Sequence, residues 1–361
     1  MTLRISSGFP TGNGIVHQVG TREFVIDRDL RDSTGDRWYW HVRLNSERDT
    51  VVRIRLARPL LIGQFGPVVS RAESRSWLWE SAGPDCAFEV PLQGQTVTGL
   101  SATMPYGPRE LGAFRAGLGA SASWRILTRS EGGRNVPLLI VPKPKSKFLV
   151  LLTARHHACE AMASYVLEGA VSEFIRLRQA GNRIASQCEL AALPIMDVDG
   201  VANGDQGKAR EPWDHNRDYG DLSVYRSVSA LREMLAADSR ATFALDLHTP
   251  GLRGPIEEVP YVVFSGDPGD YEIANGFLAT LKSLPDGRSF QESSLLLFDQ
   301  EWNSFSSRSG QCCSAWLRSR KNTRVALTIE YPNAVDQGVP VTVDRARMFG
   351  ALLLRTLTAL M

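Results

Sequence analysis

His157 and Glu160 stand three residues apart in the segment TARHHACEAMASY (153–165), where a hydrophobic strand gives way to a helix. The strand is FLVLLTA, Phe148 to Ala154, and apolar residues spaced three and four apart through Met162, Tyr165, Val166 and Leu167 mark the helix. Side chains three apart on a helical turn share one face, so this imidazole and carboxylate can close on one ion. They would be two of three protein ligands for zinc. HxxE alone is a weak signal, because most such pairs lie on helix surfaces or make a local hydrogen bond.

Other strand ends carry matching chemistry. His248 closes TFALDLH (242–248), and Glu330 lies within TIEYP. A His157, Glu160 and His248 set leaves a fourth zinc position for water, as in a catalytic rather than a structural site, and leaves Glu330 free to act as a base. Between these strands runs PIMDVDGVANGDQGKAREPWDHNRDYG (194–220), too polar and glycine-rich for a core and too long for a simple connection. Within it Asn216 and Arg217 could form a fork for a carboxylate, and Arg210 could meet a developing oxyanion. Taken singly, each arginine is more often a surface residue.

The elements that must position these residues fall into two stretches. Residues 1–108 hold short β-rich runs, WYWHVRL (38–44), TVVRIRL (50–56), SWLWE (76–80), FEVPL (88–92) and TVTGLSATM (96–104), with no helical period between them, and predict an N-terminal antiparallel β-sandwich domain. The aromatic run Trp38, Tyr39, Trp40 fits a strand packed in that sandwich better than a ligand platform. PYGPRELGAF reads as a joint. WRILTRS and VPLLIVP, separated by EGGRN, read as a hairpin, and beyond them strands alternate with helices. Residues 109–361 are therefore expected to form a mixed, mostly parallel α/β sheet flanked by helices, with sites at the carboxyl ends of strands.

Composition narrows the partners. With 41 Lys and Arg against 39 Asp and Glu, no bulk field points to nucleic acid or an acidic membrane. The five cysteines, Cys86, Cys159, Cys188, Cys312 and Cys313, have no framework spacing and fit a reducing compartment. MTLRISSGFPTGNGIV has no apolar signal region, and no stretch approaches the roughly 20 residues of a membrane span. A cytoplasmic location is the expectation.

Here the motifs meet a known pattern. RHHACEAMASYVLEG resembles the R-x-H-P-G-E, S-Y and E-G segment of the zinc carboxypeptidase family, the VDG and DHNRDY segments resemble its N-P-D-G and D-L-N-R elements, and DLH and LTIEYP resemble the strands of its third ligand and catalytic glutamate. Four segments agree in order across residues 124–332. The N-terminal β region followed by MPYGPREL is similar to the cytosolic carboxypeptidase branch.

The resemblance implies one zinc ion per chain held by His157, Glu160 and His248, Glu330 as general base and acid, and Asn216 and Arg217 on the terminal carboxylate of a peptide or protein tail. It also implies Asp214 as the carboxylate that orients a ligating histidine, and Arg210 at the carbonyl oxygen, with Lys208 close enough to compete. Ala158 and Cys159 replace the family's Pro-Gly, and Cys159 is expected to point away from the metal. Asp197, Val198 and Asp199 stand in place of its N-P-D. Pancreatic-type members place a tyrosine some twenty residues before the glutamate; EWNSFSSRSGQCC supplies none. His156 is expected to face away or lie behind the ligands, His215 to follow the same alternation, and His17 and His41 to be surface or structural. Arg308, Arg318, Arg320, Lys321 and Arg324 precede the glutamate without an intervening acid, so acidic C-terminal residues are the expected preference. The rival is a zinc N-acyl amino acid deacylase of the aspartoacylase type, whose extra β-domain follows the catalytic one; an inert binding module is a further alternative.

Overall fold

The computed structural model describes residues 2–361 apart from 36, 73, 75, 265, 292 and 304–309. Its N-terminal part forms two sheets. One carries β1 (Leu3–Ser6), β4 (His41–Ser46), β9 (Val97–Ser101), β6 (Val68–Ser70) and β7 (Leu78–Trp79) in that spatial order; the other carries β2 (Ile15–Gly20), β3 (Glu23–Asp27), β5 (Thr50–Leu56) and β8 (Ala87–Leu92). Alternation explains the pairing of faces: Val52, Ile54 and Leu56 of β5 point inward with Val42 and Leu44 of β4, while Arg53 and Arg55 face water. All neighbours are antiparallel except β3 and β5. The strand expected over 38–44 begins only at His41, because Trp38, Tyr39 and Trp40 are drawn out of the ladder into the core; Trp40 donates its Nε1–H to Leu61 O at 2.7 Å.

The joint holds a helix that turn residues had concealed, α1 (Pro108–Leu118), with Pro108 in its first turn and Glu110 folding back onto the Gly107 N–H at 2.9 Å. The hairpin β10 (Ser123–Arg129) and β11 (Asn135–Val141) then opens an eight-stranded sheet with β12 (Phe148–Ala154), β13 (Cys188–Leu193), β14 (Ala241–His248), β15 (Tyr261–Val263), β16 (Ser294–Leu296) and β17 (Thr323–Glu330). The spatial order is β10-β11-β13-β12-β14-β17-β15-β16, and its centre, β13-β12-β14-β17, is parallel throughout. These central strands are buried on both faces, which is why they read as near-continuous apolar runs. The two-residue pair β18 (Val335–Asp336) and β19 (Val339–Pro340) lies apart.

Helices α2 (Ala161–Gln179), α5 (Pro268–Ser283) and α7 (Val343–Ala359) share one core with the sheet, while α4 (Arg226–Ala236) and α6 (Cys313–Arg318) contribute to a second. The short α3 (Val198–Asn203) starts where Asp197 accepts the Gly200 N–H at 2.8 Å and stops at the left-handed Gly204. Among the described residues no helix is long and apolar enough to cross a membrane.

Candidate active site

Parallel pairing brings the carboxyl ends of β12, β14 and β17 side by side, with His248 in register with Glu330 and the 155–160 loop following β12. That loop is shaped by Arg155, left-handed at φ 62° and fully buried, whose guanidinium bonds the carbonyls of Ala158 and Tyr106. The chain thereby doubles back before α2 and delivers Glu160 at its N-terminus.

His157 Nδ1 lies 2.8 Å from Glu160 Oε1, and His248 Nδ1 lies 2.7 Å from Glu160 Oε2. Ligand atoms of the three buried residues fall within 4.8 Å of one another. Each imidazole turns its other nitrogen to a carboxylate: His157 Nε2 is 3.5 Å from Asp214 Oδ2, and His248 Nε2 is 3.0 Å from Asp246 Oδ2. With both Nε2 atoms protonated toward those acids, both Nδ1 lone pairs converge on one point beside Glu160. This donor set, two neutral imidazoles and a carboxylate backed by acids, fits zinc.

Burial alone would raise the Asp214 and Glu160 carboxyls; His157 outweighs it at Asp214, and His157, Lys208 and His248 do so at Glu160, so both are held well below the usual range. Glu330 goes the other way. Burial, and then the charge of Glu160, push it up to about 7, and its Oε2 has no hydrogen-bond partner among the described residues. A buried, unpaired carboxylate next to a metal-type triad is suited to taking up and returning a proton.

Asp246 is held low by His156 and His248 against its burial. It accepts the Thr153 hydroxyl at 2.7 Å and lies 3.0 Å from His156 Nδ1, while His156 Nε2 is 2.7 Å from the Tyr219 hydroxyl. His156 therefore sits behind the triad. Neither Asp246 nor Tyr219 is evident from motif spacing, although Asp246, two before His248 on one strand, must share its face.

Arg210 is placed elsewhere than the sequence suggests. Its guanidinium reaches Asp197 Oδ2 at 2.9 Å, lies 3.6 Å from Asp32 Oδ2 and donates to His215 Nδ1 at 2.5 Å. His215, stacked on Tyr225 at 3.8 Å, is pushed well below its ordinary range by burial and by Arg210. Paired with the buried Asp197, Arg210 is not the cation at the triad. Lys208 is: its Nζ contacts Glu160 Oε1 at 2.5 Å and Thr249 O at 3.4 Å. Two residues of offset separated the two candidates, and spacing could not choose between them.

Asn216 and Arg217 occupy the short turn His215–Arg217. Asn216 is buried, its Oδ1 accepting the Cys313 N–H at 2.9 Å and its Nδ2 3.0 Å from His248 Nε2; Arg217 is half-buried and donates to Asn216 O at 2.9 Å. Cys159 packs into the core beneath the N-terminal sheets, its thiol pushed up to about 12 by burial, so no thiolate stands beside the triad. A tyrosine does stand near Glu330. Tyr261 is its direct partner across β15 and β17, and the Tyr261 hydroxyl accepts Trp302 Nε1–H at 3.2 Å. Of the basic residues before Glu330, Arg318 pairs with Asp270 at 2.5 Å, Arg320 donates to Leu235 O, and Lys321 and Arg324 are exposed; Arg308 lies outside the described residues. His41 is buried and structural, 3.1 Å from the Thr11 hydroxyl, and His17 is exposed.

By sequence the chain matches no family model and no curated protein. By structure it is similar to a metallo-carboxypeptidase from Burkholderia cenocepacia, with a TM-score of 0.77 and 19% identity over 99% of this chain and 98% of that one. A metallo-carboxypeptidase from Pseudomonas aeruginosa, solved in complex with (2-guanidinoethylmercapto)succinic acid, gives a TM-score of 0.78 and 17% identity over the same shares. Thrombin activatable fibrinolysis inhibitor matches 71% of the chain at a TM-score of 0.52 and 12% identity. Over nearly its whole length, N-terminal sheets included, the chain has the fold of metallo-carboxypeptidases.

Proposed function

We propose that the chain is a zinc-dependent metallocarboxypeptidase that removes the C-terminal residue from peptides or protein tails. The observation that carries this reading is the convergence of His157 Nδ1 and His248 Nδ1 on Glu160, each ring backed by its own carboxylate, beside the unpaired Glu330. One zinc ion per chain, held by His157, Glu160 and His248, would lower the pKa of a water toward about 7 and polarise the scissile carbonyl. Glu330 Oε2 takes the proton of the attacking water and returns it to the leaving amine. Lys208, rather than Arg210, stands where the carbonyl oxygen gains charge. Arg217, with the side-chain amide of Asn216, holds the terminal carboxylate, and Asp214 and Asp246 keep the ligating imidazoles in the tautomer that leaves Nδ1 free. Selection of acidic terminal side chains is the finer part of the proposal. With Arg318 and Arg320 engaged elsewhere, its support is the sequence resemblance and Arg308.

The test compares a peptide acid with the same peptide as its amide, with metal analysis on the same sample. The acid is expected to be cleaved at least tenfold faster, because charge-assisted bonds are about twice as strong as neutral ones. Equal cleavage would remove the carboxylate anchor, and turnover of N-acyl amino acids in preference to peptides would favour the deacylase. Competition among peptides ending in Glu, Lys or Leu settles the side-chain preference.

A further inference from the structure

Lys208 reaches the triad from a loop, 203–210, that has little regular structure of its own. What fixes it lies on both sides. On the inner side the Cys159 N–H donates to Gln206 O at 3.1 Å, and Gly207, left-handed at φ 76°, lies so close that a Cβ there would overlap the Ala158 nitrogen. The loop is pressed backbone to backbone against the residues between the two ligands His157 and Glu160.

On the outer side the N-terminal segment 13–39 bonds the loop at several points. Asp32 Oδ1 accepts the Gln206 N–H at 3.0 Å, and Asp32 Oδ2 accepts the Gly207 N–H at 2.9 Å. These are the two amides immediately before Lys208. The Thr34 N–H and hydroxyl both donate to Ala209 O at 3.1 Å, and Asn13 Nδ2 donates to Gly204 O at 2.8 Å. The Gln206 side chain completes the seam, accepting the Tyr39 N–H at 3.1 Å and donating to Tyr39 O at 2.9 Å.

Resting on the proposed function above, we infer that Asp32 is a positioning residue for the reaction: by clamping the Gln206 and Gly207 amides it fixes where Lys208 places its ammonium. The N-terminal sheets thereby complete the catalytic site without touching substrate. A carboxylate oxygen on each of two successive amides sets both the height and the tilt of the peptide planes that lead into Lys208, and charge-assisted bonds of this kind are the stronger class. Loss of the clamp leaves the inner contacts alone, and a displacement of about 1 Å at a group that stabilises developing charge costs about a hundredfold in rate.

The experiment uses the full chain with Asp32→Asn, Lys208→Met and the double variant, and reads hydrogen exchange as well as kinetics. Asp32→Asn is expected to speed exchange in 203–210 while α2 keeps its protection, and to lower kcat at least about tenfold with little change in KM. In the Lys208→Met background the same change should cost less than about twofold, because the residue it acts through is gone. A merely structural role would instead give the full loss in both backgrounds. Unchanged exchange in 203–210, or losses that multiply in the double variant, overturns the inference. If the parent chain releases no C-terminal residue from any peptide, the carboxypeptidase reading fails, and the exchange result alone still decides whether Asp32 clamps the loop. Should Asp32→Asn not fold, Thr34→Val, which removes one neighbouring bond to Ala209 O, gives a graded form of the same readouts.

Discussion

Glu160 is the residue on which the candidate site is centred, since both its oxygens face an imidazole and one also meets Lys208. Two carboxylates near one another then divide by environment: Glu160 is compensated and ionised, while Glu330 is buried, unpaired and shifted up to about 7. Replacing Glu330 by Gln keeps the shape and removes the proton acceptor, so turnover is expected to fall about 10³-fold with metal content unchanged. Near-parental kcat in a metal-replete variant would remove Glu330 from the mechanism. The neighbouring cations separate in the same way. Lys208→Met is expected to lower kcat about 10²-fold with the smaller loss of stability, because it removes a group from the reacting centre while both imidazoles still face Glu160. Arg210→Met should spare kcat more than stability, which is expected to fall by about 3 kcal/mol because Asp197 is left buried and uncompensated. Kinetics and urea midpoints on the two variants give the comparison, and the opposite pattern would restore Arg210 to the oxyanion.

At the scale of elements, Glu160 is only as well placed as α2, at whose N-terminus it stands, and α2 is held by its contact with α7. The two helices meet backbone to backbone: a Cβ on Gly350 would overlap the Val166 carbonyl oxygen, and one on Gly169 would overlap that of Arg347. Gly350→Ala is therefore expected to destabilise the chain by about 2 kcal/mol, despite alanine's higher helix propensity, because the helices must move apart. A urea midpoint equal to the parent's would mean the helices accommodate the methyl. The 203–210 loop carries a charge in the wrong place as well. Burial, then Asp32 and Asp197, raise Asp205 from 3.8 to about 6. A folded-state pKa above the unfolded one means that the native state binds the proton more tightly, so stability falls as pH rises from about 3.8 to 6 and the full cost is present above that. Asp205→Asn should stabilise the chain at pH 7 by about 1 kcal/mol, after allowance for the group's partial exposure, and by much less at pH 4. An equal gain at both pH values would refute an electrostatic origin.

Across the whole molecule the N-terminal sheets and the α/β layer do not have separate interiors. Cys159, Leu252, Ala334 and Val335 belong to the same apolar cluster as Trp40, Val42, Val52 and Ile54, and Val68 of β6 belongs to the cluster of α2 and α7. Polar bonds cross the same boundary, Trp79 Nε1 to Val341 O at 2.7 Å and Thr103 Oγ1 to Asn333 O at 2.9 Å. Two parts that share a core are expected to unfold together. Tryptophan fluorescence, with four of the eight reporters, Trp38, Trp40, Trp77 and Trp79, in the N-terminal part and four in the α/β part, and far-ultraviolet circular dichroism should report one coincident transition. Two separated transitions would show that the boundary is weaker than its contacts imply.

What the sequence determined by itself was local and periodic. The runs FLVLLTA, TFALDLH and RVALTIEYP became β12, β14 and β17 because strands buried on both faces must be apolar throughout, and the polar residues that end β14 and β17 must then lie at one edge of the sheet. That placed His248 and Glu330 in advance, whereas His157 meets Glu160 through the 155–160 loop ahead of α2 and not across a helical turn. Turn-rich segments were harder to read: α1 was hidden by its own proline and glycines, and Trp38 to Trp40, expected in a strand, leave the ladder with all three side chains in the core. Only the tertiary structure put Lys208 and not Arg210 against Glu160, because two cations two residues apart in an irregular loop differ in nothing but which acid each can reach, and Asp197 and Glu160 are brought to them by different elements. The same holds for Tyr261 beside Glu330 and Asp32 beneath the Lys208 loop. Each is a contact between segments distant in sequence or a pairing register, and neither is encoded in the spacing along a single segment.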